Sequence, residues 1–291
     1  HLNGPKRGAI SVTIPNSYRD ISLFYINRNL KDHAVRVTIP NSVMSIRDSA
    51  FANRRSLVTV IIPNSVTSIG KSVFRDCHSL VSVTIPDSVT SIGESAFEGC
   101  SALENITLPN FVTFIGESAF DSCSAVTSIN IPSSVTSIGF YAFRKCTALT
   151  AVILPKSVTT INNGTFWDCH ALASVTFPES VTYIGKGAFW GCRALASVTI
   201  PESTTFADLA FDKKVTTVNI TSCDSRGEVQ VVAKKPKPTV AVKAEEAHSA
   251  LPDTGASQVA KKPKLAVAVK TEEEPPTLPD ARSRATTAAK K

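Results

Sequence analysis

Hydrophobic and polar positions repeat with a period of 23 over residues of roughly 34 to 211, so each unit carries several short elements, not one helix or one strand. Proline recurs at Pro40, Pro63, Pro86, Pro109, Pro132, Pro155, Pro178 and Pro201. Phenylalanine keeps the same step through Phe51, Phe74, Phe97, Phe120, Phe143, Phe166 and Phe189. Cysteine does so through Cys77, Cys100, Cys123, Cys146, Cys169 and Cys192. Three residue types in one register mark a stacked repeat.

The unit beginning at Leu80 reads LVSVTIPDSVTSIGESAFEGCSA. Leu80, Val83 and Ile85 predict a short strand with its apolar residues inward. Pro86 ends that strand, because it has no N–H to continue a ladder. Val89 and Ile92 turn inward again. Gly93 is assigned to a tight bend at positive φ, and Ser95-Ala96-Phe97 to a single helical or 3₁₀ turn that directs Ala96 and Phe97 to the core. A lone unit cannot bury enough apolar surface to offset the entropy of ordering it. Stacking adds buried faces and a ladder of parallel strands spaced about 4.8 Å apart.

The IPxSVTxIGxxAFxxC text of the unit resembles the BspA-like (Treponema pallidum-type) leucine-rich repeats over about two thirds of the chain. That resemblance implies an α/β repeat solenoid, right-handed and curved, with a parallel β-sheet on the concave face. It also implies protein binding or adhesion without a cofactor. About ten units are expected. Ala9, Val12, Ile14 and Pro15 supply a first strand, and Val215, Val218 and Ile220 a last one. Residues 1–33 then form a degenerate N-terminal repeat or cap, 34–221 the solenoid, and 222–291 a tail.

On the expected concave face the outward strand residues are mostly small hydroxyls, among them Thr84, Thr107, Asn130, Thr176 and Thr199. One reading is a broad protein- or glycan-binding surface; the other is that Ser and Thr suit a half-exposed strand. A second column, Thr67, Thr90, Thr113, Thr136, Thr159 and Thr182, reads as repeated turn and strand chemistry, with ice binding the remote alternative. Tyr183, Trp167 and Trp190 break the small-residue rule near the C-terminal units. The two tryptophans, one unit apart, either form an exposed aromatic patch on the convex side, the first candidate for partner contact, or fold over a neighbouring turn.

Equivalent Cβ atoms in stacked units lie about 4.8 Å apart, whereas a disulfide requires about 3.8 Å. The cysteine column therefore predicts buried free thiols. Arg54, in its first place, fits an exposed edge. No close cysteine pair of the kind zinc requires is present, and His78 and His170 are four units apart. No phosphate loop, carboxylate pair or Ser/His/Asp grouping appears. Neither a catalytic residue, a cofactor nor a metal is expected.

From about Ser222 aromatic residues vanish, and Lys, Glu, Pro, Ala, Thr and Val predict disorder. The tail holds a duplication offset by 27 residues. Lys234, Lys235 and Lys237, with Lys261, Lys262 and Lys264, resemble nuclear-localisation clusters or plain solvated basic runs. Lys243 and Lys270 sit in ψ-K-x-E text resembling SUMO acceptors. Leu251–Gly255 matches LPxTG but lacks the hydrophobic stretch that wall anchoring needs. The formal net charge is +7, and acidic runs interrupt the lysine clusters, so nucleic acid is not an expected partner. No apolar run is long enough to span a membrane.

Two functions follow: a non-catalytic protein-interaction or adhesion scaffold, monomeric, or an intracellular or nuclear regulator whose basic tail carries localisation and modification signals. A leader preceding His1 would place the first at the cell surface; without one, the cytoplasm or nucleus is expected.

Overall fold

The computed structural model describes residues 10–22, 25–26, 34–213, 215, 217–223 and 229–234. Two columns of strands run through it. The first contains β1 (Ile10–Thr13), β3 (Ala34–Thr38), β5 (Thr59–Ile61), β7 (Ser82–Thr84) and β9 (Asn105–Ile106). It continues with a single bridge at Ser128, then β12 (Ala151–Ile153), β14 (Ser174–Thr176), β16 (Ser197–Pro201) and β18 (Thr217–Cys223). The second contains β2 (Asp20–Ile21), β4 (Ser45–Ile46), β6 (Ser68–Ile69), β8 (Ser91–Ile92) and β10 (Phe114–Ile115). Beyond them lie β11 (Ser137–Ile138), β13 (Thr160–Ile161), β15 (Tyr183–Ile184) and β17 (Thr205–Phe206). The ten positions of the first column bound nine turns. Pairing is parallel and in step with the repeat, as in Val60↔Val83 and Ile69↔Ile92.

The third side of each turn departs from expectation. Ser95 and Gly99 have φ of 54° and 75°, so Ser95-Ala96-Phe97 is not a helical or 3₁₀ turn. Ser95, Phe97 and Gly99 each donate an N–H to the following unit, at Glu117, Ala119 and Asp121 carbonyls, all at 2.8 Å. The intervening amides of Ala96, Glu98 and Cys100 bond locally, three residues back. Left-handed residues at both ends swing alternate N–H groups along the solenoid axis, where a helix would keep them for itself. The same geometry recurs at Ser72 and Asp76 and at Ser118 and Ser122. Tyr25 and Ile26 are the only helical residues described. The fold is thus a parallel-strand β-solenoid of the leucine-rich-repeat type, and the α/β label is withdrawn.

Gly93 is also required for a different reason than positive φ, which it does not have. A Cβ there would lie 2.6 Å from the Gly70 carbonyl carbon and oxygen, and one on Gly116 2.5 Å from the Gly93 carbonyl carbon. Successive turns touch backbone to backbone at this corner.

Between the three sides lies one continuous core, in which the L-x-x-V-x-I and V-x-x-I positions are inward as the pattern predicts. The phenylalanine rings stack with centroids 5.3–5.4 Å apart from Phe51 to Phe189. Phe211 adds a further ring at 5.5 Å, although it stands 22 residues beyond Phe189. The last unit is one residue short, with Tyr183 paired to Thr205, and the ladder absorbs the deletion. The six cysteines of the column are free and buried, as expected. Each thiol donates to the carbonyl of the Phe 26 residues earlier, at 3.0–3.2 Å. Arg54, expected at an exposed edge, is half-buried.

Residues 222–234 correct the tail boundary. β18 runs to Cys223, and β19 (Val229–Lys234) pairs with it antiparallel, Ile220 opposite Val232. Composition masked the short VQVVAK run that serves as this edge strand. The expected disorder of 235–291 concerns residues outside those described.

Burial pushes the thiols of Cys77 and Cys192 up from an ordinary 9.0 to about 12, and raises the other four as well. A thiol whose pKa is higher folded than unfolded stabilises the fold fully below the unfolded value and loses that contribution as pH rises toward the folded one. Urea unfolding should therefore show stability falling between about pH 9 and pH 11, and the six column thiols should resist alkylation at pH 8 until urea is added. Gly116→Ala should cost about 1–3 kcal/mol in the same assay, from overpacking at the corner.

Candidate contact surfaces of the solenoid

On the outward face of the first column, Thr84, Thr107, Asn130, Thr176 and Thr199 are all exposed. Strand alternation places them there, since Val83, Ile106, Ile129 and Val198 between them are buried. Ile61 and Ile153 share the column, exposed to 41% and 70%. Ile153 is the largest apolar departure from the hydroxyl rule on this face.

The second threonine column is committed to the fold. Thr90, Thr113, Thr136 and Thr182 each donate a side-chain hydroxyl to the threonine carbonyl one unit back, at 3.2–3.5 Å. Their backbone amides bond to the same carbonyls at 2.8–3.0 Å. Ser88, Ser134 and Ser180 likewise donate to Val66, Val112 and Val158 carbonyls. These hydroxyls satisfy backbone acceptors, in keeping with the reading as repeated turn and strand chemistry.

Trp167 and Trp190 do meet, ring centroids 6.3 Å apart and tilted by 42°. Both are half-buried. Trp167 lies over Gly187, where a Cβ would stand 2.4 Å from its ring; a glycine in the next unit is what lets the indole fold down. Trp190 lines a cavity of about 300 Å³ at the C-terminal end with Phe206, Leu209 and Phe211. Tyr183 is exposed on the second column. In the tryptophan column earlier units carry charge: Arg144 donates to the buried Asp121 carboxylate, 2.8 Å from Nε and 2.6 Å from Nη2.

Phe111, Phe114 and Phe140 form an exposed aromatic set that sequence reasoning missed, at 62%, 42% and 44% exposure. A column-by-column comparison would have found them. Phe111 stands where neighbouring units carry Ser88 and Ser134, Phe114 where they carry Ser91 and Ser137, and Phe140 where they carry Glu117 and Asn163.

His78 and His170 act separately, His78 on the Gly99 carbonyl at 2.8 Å and His170 near Asp168 at 3.6 Å. Among the described residues no group of His, Cys, Asp and Glu is placed to hold a metal ion, and no helix is long and apolar enough to cross a membrane. Lys234 ends β19; Lys235, Lys237, Lys243, Lys261, Lys262, Lys264 and Lys270 lie outside the described residues.

The BspA type leucine rich repeat model matches six copies over residues 22–146 and 113–232, together most of the chain. The chain belongs to the BspA-type leucine-rich repeat family. It is similar to the T. pallidum Leucine Rich Repeat protein, with 31% identity over 66% of this chain and 85% of that one and a TM-score of 0.54. A leucine-rich repeat protein from Bacteroides ovatus shows 29% identity over 69% of this chain, with a TM-score of 0.61; this chain spans 57% of its length. No curated protein matches the sequence. As a BspA-type solenoid the chain is built as a repeat scaffold, and leucine-rich repeat proteins of this kind bind proteins.

Phe111→Ser should be tolerated or stabilising by about 0.5–1 kcal/mol, because a serine there can donate to the carbonyl one unit back as its column neighbours do. Thermal unfolding reads the stability, and a drop in binding of a hydrophobic dye reads the lost apolar exposure.

Proposed function

We propose that this BspA-type chain is a non-catalytic adhesion or protein-interaction scaffold, monomeric, whose partner docks on the outward face of the first strand column. The observation that carries this reading is the ribbon of exposed short side chains, Thr84, Thr107, Asn130, Thr176 and Thr199, held by a parallel ladder over a buried core. Short side chains lose little rotamer entropy on contact, and the rigid ladder spares the binding step a conformational cost. Ile153, protruding from this ribbon at 70% exposure, is the natural apolar anchor. Trp167, Trp190 and Tyr183 serve as a secondary contact around the side of the solenoid.

Fragment 1–234 should retain partner capture from an extract, and fragment 235–291 should not. Ile153→Asp in the full chain should weaken capture by about tenfold or more with an unchanged melting temperature. If the tail fragment alone captured the partner, the solenoid would be mere support.

A further inference from the structure

The first column carries one cleft that the repeat does not account for. From residue 37 onward its two inward positions are filled by Val or Ile and, Phe177 excepted, by Ile or Leu, and all are buried apart from Val175, Phe177 and Ile220 in the last strand of the column. Phe177 occupies the position of Ile131, Leu154 and Ile200 with a ring too large for an aliphatic slot. It turns edge-on against Phe189, centroids 5.6 Å apart at 71°. Phe177 and Val175 are left half-buried, and no ladder pairs β14 with β16. The ladder also lapses before Ser128, where both inward positions keep aliphatic side chains and stay buried. At β14 and β16 it opens into a cleft of about 410 Å³, lined by Ser174, Thr176, Phe177, Glu179, Ser197 and Thr199.

The chemistry of this lining is selective. Serine and threonine hydroxyls both donate and accept, and so match groups that do both. Glu179 is the one charged residue of the lining, an acceptor with two oxygens that suit two O–H groups on adjacent carbons. Without a cation, the cleft disfavours phosphate, sulfate and acidic sugars. The partly covered phenyl ring of Phe177 offers an apolar plate for the C–H face of a ring. A protonated amine would satisfy Glu179 but leave the hydroxyls idle. A peptide strand would need two spacings of about 4.8 Å where the repeat register allows one. The volume falls within the roughly 300–1,000 Å³ typical of small-molecule sites.

We propose that the cleft between β14 and β16 binds a neutral pyranose unit of a glycan, stacked on Phe177, with adjacent hydroxyls held by Glu179 and the remainder by Ser174, Thr176, Ser197 and Thr199. This rests on the reading of the outward face as the contact surface and gives that surface a defined glycan subsite.

The full chain is titrated by ligand-observed NMR against methyl glycosides of glucose, galactose, mannose and N-acetylglucosamine, with a sialoside and a lysine-rich peptide as contrasts. At least one neutral glycoside should bind in the millimolar range expected of a single small ring. Phe177→Ile, which restores the aliphatic column, and Glu179→Ala should each weaken it by about tenfold or more. Phe177→Ile introduces the residue native to this column at Ile131, and its melting temperature should be at least that of the parent. The proposal is overturned if no neutral glycoside binds, if both variants bind like the parent, or if only the sialoside or the lysine-rich peptide shows binding that Glu179→Ala removes. Partner capture is read on the same variants. Glycoside binding lost with capture intact is the expected result, and Ile153→Asp that leaves capture unchanged while the glycoside still binds would sink the contact-surface reading alone.

Discussion

Every turn depends on its neighbour for backbone hydrogen bonds, and that dependence sets the 23-residue spacing. On the first two sides parallel strands exchange N–H and C=O groups; on the third, alternate amides such as Ser95, Phe97 and Gly99 donate to the next unit. A buried N–H without a partner costs about as much as a lost hydrogen bond. An insertion within a unit would misalign all three sides at once. The columns of Pro, Phe, Cys and Gly are consequences of that register: each recurs because its surroundings recur. The one-residue deletion, which falls between Thr205, still bonded to Thr182 in the 23-residue step, and Phe206, paired with Ile184 at 22, is tolerated in the last complete turn, where only one neighbour has to adjust.

The third side has a polarity that the two strand ladders lack. Its donors point toward the C-terminal end and its acceptors toward the N-terminal end, so its partial charges add along the axis as those of a helix do. In the column of Asp76 and Gly99, the series of donations ends at Gly191, whose N–H meets the Asp212 carboxylate at 3.1 Å in place of a next-unit carbonyl. A carboxylate at the donor end has the right sign to close such a strip. Substituting it for a backbone group is what allows the repeat to stop there.

Periodicity made the strand column, the inward residues, the buried thiols and the family legible in the text, because each needs only the knowledge that like positions stack. The third side was not legible. Ser95-Ala96-Phe97 has ordinary turn composition, and whether its amides bond inside the unit or to the next depends on φ at Ser95 and Gly99. Gly93 was rightly singled out for the wrong reason, since a close approach of two backbones leaves the same glycine in the text as a positive φ does. Likewise Trp167 could be seen to stack with Trp190, but whether it stood free turned on Gly187 one unit later.

Residues that break a column therefore carry more information than those that keep it. A consensus residue states only that its slot is ordinary. Phe111, Phe114 and Phe140 put aromatic rings where serine, glutamate or asparagine would suffice, and gain no burial by it. Phe177 has a measurable structural consequence: an oversized ring in an aliphatic slot leaves Val175 and itself half-covered beside the one lapse of ladder that opens into a described cleft. Half-covered apolar residues and a lost stretch of strand pairing both weigh against stability, and Ile in that slot would relieve them. The physics of the repeat supplies no reason for Phe177. An internal departure that opens a polar cleft on the exposed face of a rigid sheet is the place where recognition has the most to work with.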